Sequence, residues 1–180
     1  AGDPALWRDP GLTLDDPAFI QFTSGSTSRP KGVVVTHGNL AENAHAVMRV
    51  GLDSNDEDRG VSWLPLFHDM GLIGFVIAPI FHRVPVTFMS PMTFLKRPAT
   101  WLEVLSKHRG TITYGPNFSY AITAKRVRDR DLEGLDLSHV RVAGCGAEPI
   151  QADTLRAFAD RFARVGFREK AFVPSYGMAE

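Results

Sequence analysis

The sequence predicts an α/β fold in which strands and helices alternate and stack in layers. Three observations carry that expectation. Short apolar runs alternate with segments whose apolar residues recur at helical spacing. Loops rich in glycine and hydroxyl side chains follow several of the runs, and no repeat or low-complexity tract interrupts the series.

Residues 1–17 are rich in Pro, Asp and Gly and are expected to form a linker or surface arm. The run Phe19-Ile20-Gln21-Phe22 is the first strand. Leu40, Ala44, Val47 and Met48 then share a helical face, and Gly51 suits the residue just past the helix end. Residues 61–64 are strand-like, residues 71–80 fit either a buried helix or a pair of strands, and residues 85–89 are again strand-like. Pro98 suits a first helical turn, with Trp101, Leu102 and Leu105 as the apolar face and Gly110 as the stop. Residues 111–114 form a strand and residues 117–126 a helix. The run 125–133 is so charged that it reads as a solvated helix end and loop. Residues 140–143 make a buried strand, residues 152–165 an amphipathic helix turning Leu155, Phe158 and Phe162 inward, and residues 171–174 a last strand.

Composition narrows the function. The 180 residues carry 20 basic and 20 acidic side chains, so no basic excess points to nucleic acid. A lone cysteine, Cys145, excludes an intramolecular disulfide and fits a reducing, cytoplasmic location. Ala1-Gly2-Asp3-Pro4 lacks the basic-then-apolar run of a secretory leader. The longest apolar stretch, residues 70–81, is too short for a bilayer and contains Pro79, so no membrane span is expected.

The most distinctive segment is Thr23-Ser24-Gly25-Ser26-Thr27-Ser28-Arg29-Pro30-Lys31-Gly32. Glycines let backbone N–H groups turn toward an anion, hydroxyls add rotatable donors, and Lys31 supplies a point charge. Taken alone it fits a phosphate cradle or an ordinary polar turn. It is not a Walker loop, because Pro30 precedes the lysine and Gly32 follows it. No serine has the flanking glycines of a hydrolase nucleophile elbow, and the six histidines show no metal-ligand spacing. In a layered α/β fold, ligands gather beyond the carboxyl ends of the strands. This loop, residues 144–149 and residues 175–180 each follow a predicted strand, so the three can converge on one cleft.

The loop resembles the phosphate-binding motif of the adenylate-forming enzymes: two small polar residues, glycine, a hydroxyl residue, threonine, glycine, any residue, then Pro-Lys-Gly. The one departure is Ser28 in place of glycine. Ser62-Trp63-Leu64-Pro65-Leu66-Phe67-His68-Asp69-Met70-Gly71 is similar to that family's next block, Gly144-Cys145-Gly146-Ala147-Glu148-Pro149 to its adenine-contacting loop, and Tyr176-Gly177-Met178-Ala179-Glu180 to its Tyr-Gly-x-Thr-Glu block. All occur in the family's order. The block around His68, the segment Gly115-Pro116-Asn117-Phe118, Ser28 and Ala179 look most like the fatty-acyl-AMP ligases, with long-chain acyl-CoA synthetases close by.

That resemblance implies part of the layered large domain of an enzyme that activates a fatty acid with ATP. It places the ATP phosphates on Thr23, Ser24, Gly25, Ser26, Thr27, Ser28, Lys31 and Gly32. Adenine falls to Gly146, Ala147, Glu148, Pro149, Tyr176, Gly177, Met178 and Ala179, and Mg²⁺ to Glu180. His68 becomes a gate beside the carboxylate and α-phosphate, making Lys31, His68 and Glu180 the catalytic set. Asn117 and Phe118 join His68 in the acyl pocket, with Leu72, Phe75, Val76 and Ile122 as further lining. The acceptor is an acyl-carrier-protein or CoA thiol.

Residues 18–180 are then the central part of the AMP-binding domain, truncated at both ends and lacking an N-terminal segment and a small C-terminal domain. Little or no adenylation by the chain alone is expected. The alternatives are an acyl-CoA synthetase proper, or a nucleotide-binding scaffold that has kept only the fold.

Overall fold

The computed structural model describes residues 3–23 and 30–178. A single 3₁₀ turn, Pro4–Leu6, precedes strand β1, Pro17–Thr23, which pairs antiparallel with β2, Lys31–Thr36. The polar motif extends through Gly32 in sequence, yet Lys31 and Gly32 already belong to β2. The β-branched run Val33-Val34-Val35 favours extended backbone and finds its partner in Gln21, Ile20 and Phe19. Gly32 belongs to this ladder, since a Cβ there would lie 2.8 Å from Ile20 Cγ2. The polar loop therefore joins two antiparallel strands instead of leading from a parallel strand into a helix.

Helix α1, His37–His45, starts at a capping box. The Asn39 N–H donates to Thr36 Oγ1 at 3.2 Å, and the Thr36 N–H donates to Asn39 Oδ1 at 3.0 Å. The carbonyls of Asp16 and Leu14 accept from the His37 and Gly38 N–H groups, fastening the arm to the helix start. The helix continues as a π-helical turn over Ala46–Gly51. The left-handed residue beyond it is Asp53, with φ of 47°, and not Gly51.

The main sheet has five parallel strands in the order β4-β3-β5-β6-β7: Gly60–Ser62 (β3), Val86–Phe88 (β4), Ile112–Gly115 (β5), Val142–Cys145 (β6) and Phe172–Pro174 (β7). Between β3 and β4 the ambiguous apolar stretch is helical: α2, Asp69–Leu72, a π-helical turn Ile73–Ile77, and α3, Ala78–His82. None of the helices among the described residues is long and apolar enough to cross a membrane. Helix α4, Pro91–Lys96, capped by the Ser90 hydroxyl, was not anticipated. Helix α5, Ala99–His108, ends on Arg109 at φ of 50°, so Gly110 is not its left-handed stop. Gly110 answers to packing instead, because a Cβ there would lie 2.5 Å from Val61 Cγ2. Helices α6, Asn117–Arg126, and α7, Ala152–Phe162, complete the fold.

Strand alternation sends side chains to two cores. On one face Val61, Ala143 and Cys145 meet α5, α6 and α7 through Trp101, Leu102, Leu105, Tyr120, Phe158 and Phe162. On the other, Ile112 and Val142 meet α1 and α3 through Ala44 and Ala78. The fold is thus a three-layer α/β/α sandwich. Trp101 Nε1 donates to Thr113 Oγ1 at 2.9 Å, and that hydroxyl donates to the Val61 carbonyl at 2.9 Å, so these two buried side chains are paired.

At the N-terminal edge of the sheet Asp58 is only 2% exposed. It accepts from Arg141 Nε at 2.7 Å, the Thr111 hydroxyl at 2.6 Å and the Asn55 N–H at 2.9 Å. Residues 125–133 prove less loose than their charge suggests. Val127 and Leu132 are buried, and Asp131 and Asp129 pair with Arg97, Arg128, Arg161 and Arg164.

Candidate active site

The strand order places a crevice. From β3 the chain crosses through α2 and α3 to β4 on one side, then returns through α4 and α5 to β5 on the other. Connections leaving β3 and β5 therefore diverge beyond the carboxyl ends of these neighbouring strands, where such folds bind ligands. Trp63, just past β3, lies in that region. It stacks on Phe94 at 4.0 Å between ring centroids and meets Phe118 edge-on at 6.2 Å. Its indole N–H is buried with no hydrogen-bond partner among the described residues. The motif alone assigns Trp63 no role, because burial and an unpaired donor are visible only in three dimensions.

His68 caps α2. Its Nδ1 accepts from the Met70 N–H at 3.2 Å and lies 2.6 Å from Asp69 Oδ1. Its side chain is 50% exposed. The tight turn ahead of it needs Gly71, where a Cβ would lie 2.3 Å from the Pro65 carbonyl oxygen. Leu64, Pro65, Phe67, Phe88 and Met89 line a shallow apolar hollow of about 420 Å³ nearby. Phe75, a sequence candidate for acyl lining, is instead a core residue packed edge-on to Tyr114.

Beyond β6 and β7 two loops touch. The Ser175 N–H donates to the Cys145 carbonyl at 2.8 Å, and a Cβ on Gly146 would lie 2.7 Å from the Ser175 carbonyl oxygen. Beneath them the Tyr114 ring lies across Gly144, occupying the space a Cβ would need, with its hydroxyl 3.4 Å from Ser175 Oγ. Tyr120 donates to the Gly144 carbonyl at 2.7 Å. Burial pushes the Tyr114 phenol above its ordinary value, partly offset by Ser175. Tyr176 is 90% exposed, leaving its ring faces free for an aromatic base. Gly177 and Met178 follow it on the surface.

The loop after β6 is also fastened to α6. Ala147 takes a left-handed conformation, φ 66°, and Glu148 Oε1 accepts from the Phe118 N–H at 2.6 Å. Gln151 N–H donates to Asn117 Oδ1 at 3.0 Å. Glu148 was expected to shape an adenine slot and Asn117 an acyl pocket. Both side-chain oxygens are committed to each other's loops, while Phe118 is 41% exposed at the crevice.

Of the sequence candidates, the structure gathers Asn117, Phe118, Gly146, Ala147, Glu148, Pro149 and Tyr176 at the carboxyl ends of β5, β6 and β7. Lys31 and Gly32 stand apart in the ladder of the two-stranded sheet, Lys31 paired with Thr23. Ser24, Gly25, Ser26, Thr27, Ser28, Ala179 and Glu180 lie outside the described residues. Convergence is thus seen for two of the three predicted loops. Among the described residues, no group of His, Cys, Asp and Glu is arranged to hold a metal ion.

A three-layer α/β sandwich whose loops meet at the carboxyl ends of adjacent parallel strands defines the class: an α/β fold with its ligand crevice at that edge. Comparison with known proteins gives the family. The model of AMP-binding enzymes matches residues 3–180, and the chain belongs to that family. It is 44% identical over 172 residues to the medium-chain-fatty-acid–acyl-carrier-protein ligase TtuA of Teredinibacter turnerae, covering 96% of this chain and 27% of that one. Against the 4-hydroxyphenylalkanoate adenylyltransferase of Mycobacterium tuberculosis it is 45% identical over 180 residues, 99% of this chain and 28% of the relative. A crystal structure of the fatty acyl-adenylate ligase of L. pneumophila, in complex with acyl adenylate and pyrophosphate, superposes with a TM-score of 0.90 at 44% identity, covering 97% of this chain and 31% of that one. The chain therefore spans less than a third of the length of these relatives.

Proposed function

We propose that these residues form the ATP- and acid-binding portion of a ligase that converts a fatty acid to its acyl adenylate with release of pyrophosphate. The observation that carries this is the meeting of the 146–149 loop, the Ser175–Tyr176 backbone and the start of α6 at the carboxyl ends of three adjacent parallel strands. Supporting it are relatives named for fatty-acid and arylalkanoate adenylation and a structural neighbour holding acyl adenylate and pyrophosphate.

A carboxylate oxygen of the acid attacks the α-phosphorus of ATP, and pyrophosphate departs. The protein positions the reactants and balances charge on the phosphate oxygens, and it forms no bond itself. Tyr176 stacks on adenine against the backbone of residues 146–148. Lys31 and the hydroxyls and N–H groups of residues 23–28 hold the leaving phosphates. His68 presents its half-exposed ring beside the reacting carboxylate, and Asn117 and Phe118 border the acyl channel. Mg²⁺ held by Glu180 would supply further neutralisation of phosphate charge when bound. The adenylate then passes to a thiol of a carrier protein or of CoA. Buried, unpaired Cys145 supports a reducing, cytoplasmic setting.

Replacing Lys31 by Ala in the full-length enzyme tests the assignment. Pyrophosphate–ATP exchange dependent on a fatty acid is expected to fall by about 10²- to 10³-fold, the scale seen when one charge-stabilising donor is lost. Undiminished exchange removes the loop from the chemistry, whereas a wild type without fatty-acid-dependent exchange favours a scaffold that has kept only the fold. The 180 residues by themselves are expected to exchange far more slowly than the full-length protein.

A further inference from the structure

Helix α6 opens without a cap of its own. Pro116 stands at the N-cap position and its side chain accepts nothing; the Ser119 N–H finds the Pro116 carbonyl at 2.9 Å, which leaves the Phe118 N–H in need of a partner from elsewhere. One is supplied 30 residues along the chain by the Glu148 carboxylate, which takes the Phe118 N–H at 2.6 Å. A carboxylate at a helix N-terminus meets both oriented donors and the positive end of the helix dipole. The tie is reciprocal, since Asn117 at the start of α6 accepts from the Gln151 N–H. Two bonds of opposite direction thus clasp the connection after β5 to the connection after β6. Ala147, next to Glu148, is held in a backbone region that residues with a Cβ rarely adopt, as happens where the surroundings over-determine a conformation. On its other side the same loop touches Ser175.

We propose that Glu148 is a positioning residue that couples acid binding to nucleotide binding: by holding α6 to the 146–149 loop it makes each ligand order the other's site. This rests on the function proposed above, with acid against Phe118 and adenine between the 146–149 loop and Tyr176. The first ligand to bind immobilises the clasped pair, and the second meets a site already ordered. The coupling is therefore favourable and equal in both directions.

The test uses the full-length enzyme, a non-hydrolysable ATP analogue and a fatty acid. Analogue affinity is measured by calorimetry without and with saturating acid. In the wild type the acid is expected to tighten the analogue by about 5- to 10-fold, the lower range of measured couplings. Glu148→Met keeps the side-chain stem and removes the acceptor. It is expected to bring the ratio to about 1, whatever it does to the affinity for either ligand alone. Glu148→Gln keeps an acceptor oxygen and restores most of the ratio. Amide exchange at Phe118 is expected to speed up in the Met variant and not in the Gln variant.

A Met variant with the wild-type ratio overturns the proposal. If that variant does not fold, wild-type amide exchange decides. The analogue alone should slow exchange at Phe118, and no slowing overturns the coupling. Failure of the underlying function is distinguishable, because the wild type would then show no fatty-acid-dependent pyrophosphate–ATP exchange.

Discussion

A methyl group at position 146 meets the Ser175 carbonyl oxygen at 2.7 Å, where a comfortable carbon–oxygen contact is about 3.3 Å or more. The neighbour is backbone, so no rotamer change relieves the overlap. The two loops must part by about 0.6 Å, and Tyr176, one residue on, moves with Ser175. Gly146 is not among the glycines at positive φ, so alanine suits its backbone conformation. Without the overlap, Gly146→Ala would stabilise the fold by about 0.4–1 kcal/mol through the unfolded chain. With it, overpacking costs about 1–3 kcal/mol and reverses the sign. For a domain of this size each kcal/mol moves Tm by about 2–4 °C. Misplacing a binding group by about 1 Å costs about 10²-fold, so the smaller shift at Tyr176 is expected to raise the KM for ATP by about tenfold. Thermal melts and initial rates of pyrophosphate–ATP exchange at varied ATP, in the full-length enzyme, read both effects. A higher Tm with unchanged KM refutes the close approach and its role in placing Tyr176.

Three further outcomes follow from buried groups away from the ligand loops or beneath them. Arg141→Ala strands the Asp58 carboxylate and is expected to cost about 3 kcal/mol in urea unfolding with kcat unchanged, because the pair lies at the opposite edge of the sheet. Burial pushes the Asp58 carboxyl up, but the Arg141 guanidinium, Thr111 and the Asn55 N–H outweigh it and hold the folded value below the ordinary 3.8. Its contribution is therefore complete above that pH and is lost as acid takes the pH down through the folded value; urea melts at falling pH should show the slope in the parent and a weaker one in Asp58→Asn. Cys145 is fully buried, and burial, helped by the Glu148 charge, pushes its thiol up to about 11. Iodoacetamide at about pH 8 is expected to label it in denaturant and not in the folded protein, as counted by mass spectrometry.

Much of the scaffold is legible from one-dimensional signals. Helix α6 runs over the residues its apolar and polar periodicity picked out, and α7 starts where expected before tightening to a 3₁₀ turn at Ala163–Val165. Boundaries slipped where packing outranked punctuation. Gly51 and Gly110 look like helix stops, but Asp53 and Arg109 take the left-handed positions, and Gly110 is reserved for contact with Val61. Strand β2 was hidden because the polar loop's motif ran into it, masking three consecutive valines that pair with β1.

The sequence by itself determined the family: the ordered blocks at residues 23–32, 62–71, 144–149 and 176–180 resemble those of the adenylate-forming enzymes, and the AMP-binding family model matches residues 3–180. Motif order and residue type are local properties and survive being read along a line. Tertiary structure decided what those blocks do to one another. It set Thr23 opposite Lys31 in an antiparallel ladder, left Trp63 with an unpaired buried donor among the described residues, and gave the Glu148 carboxylate a bond from the first turn of α6. Such roles depend on which strands lie side by side, and the pairing of Gly115 with Cys145 across β5 and β6 is what brings residues 118 and 148 within a hydrogen bond.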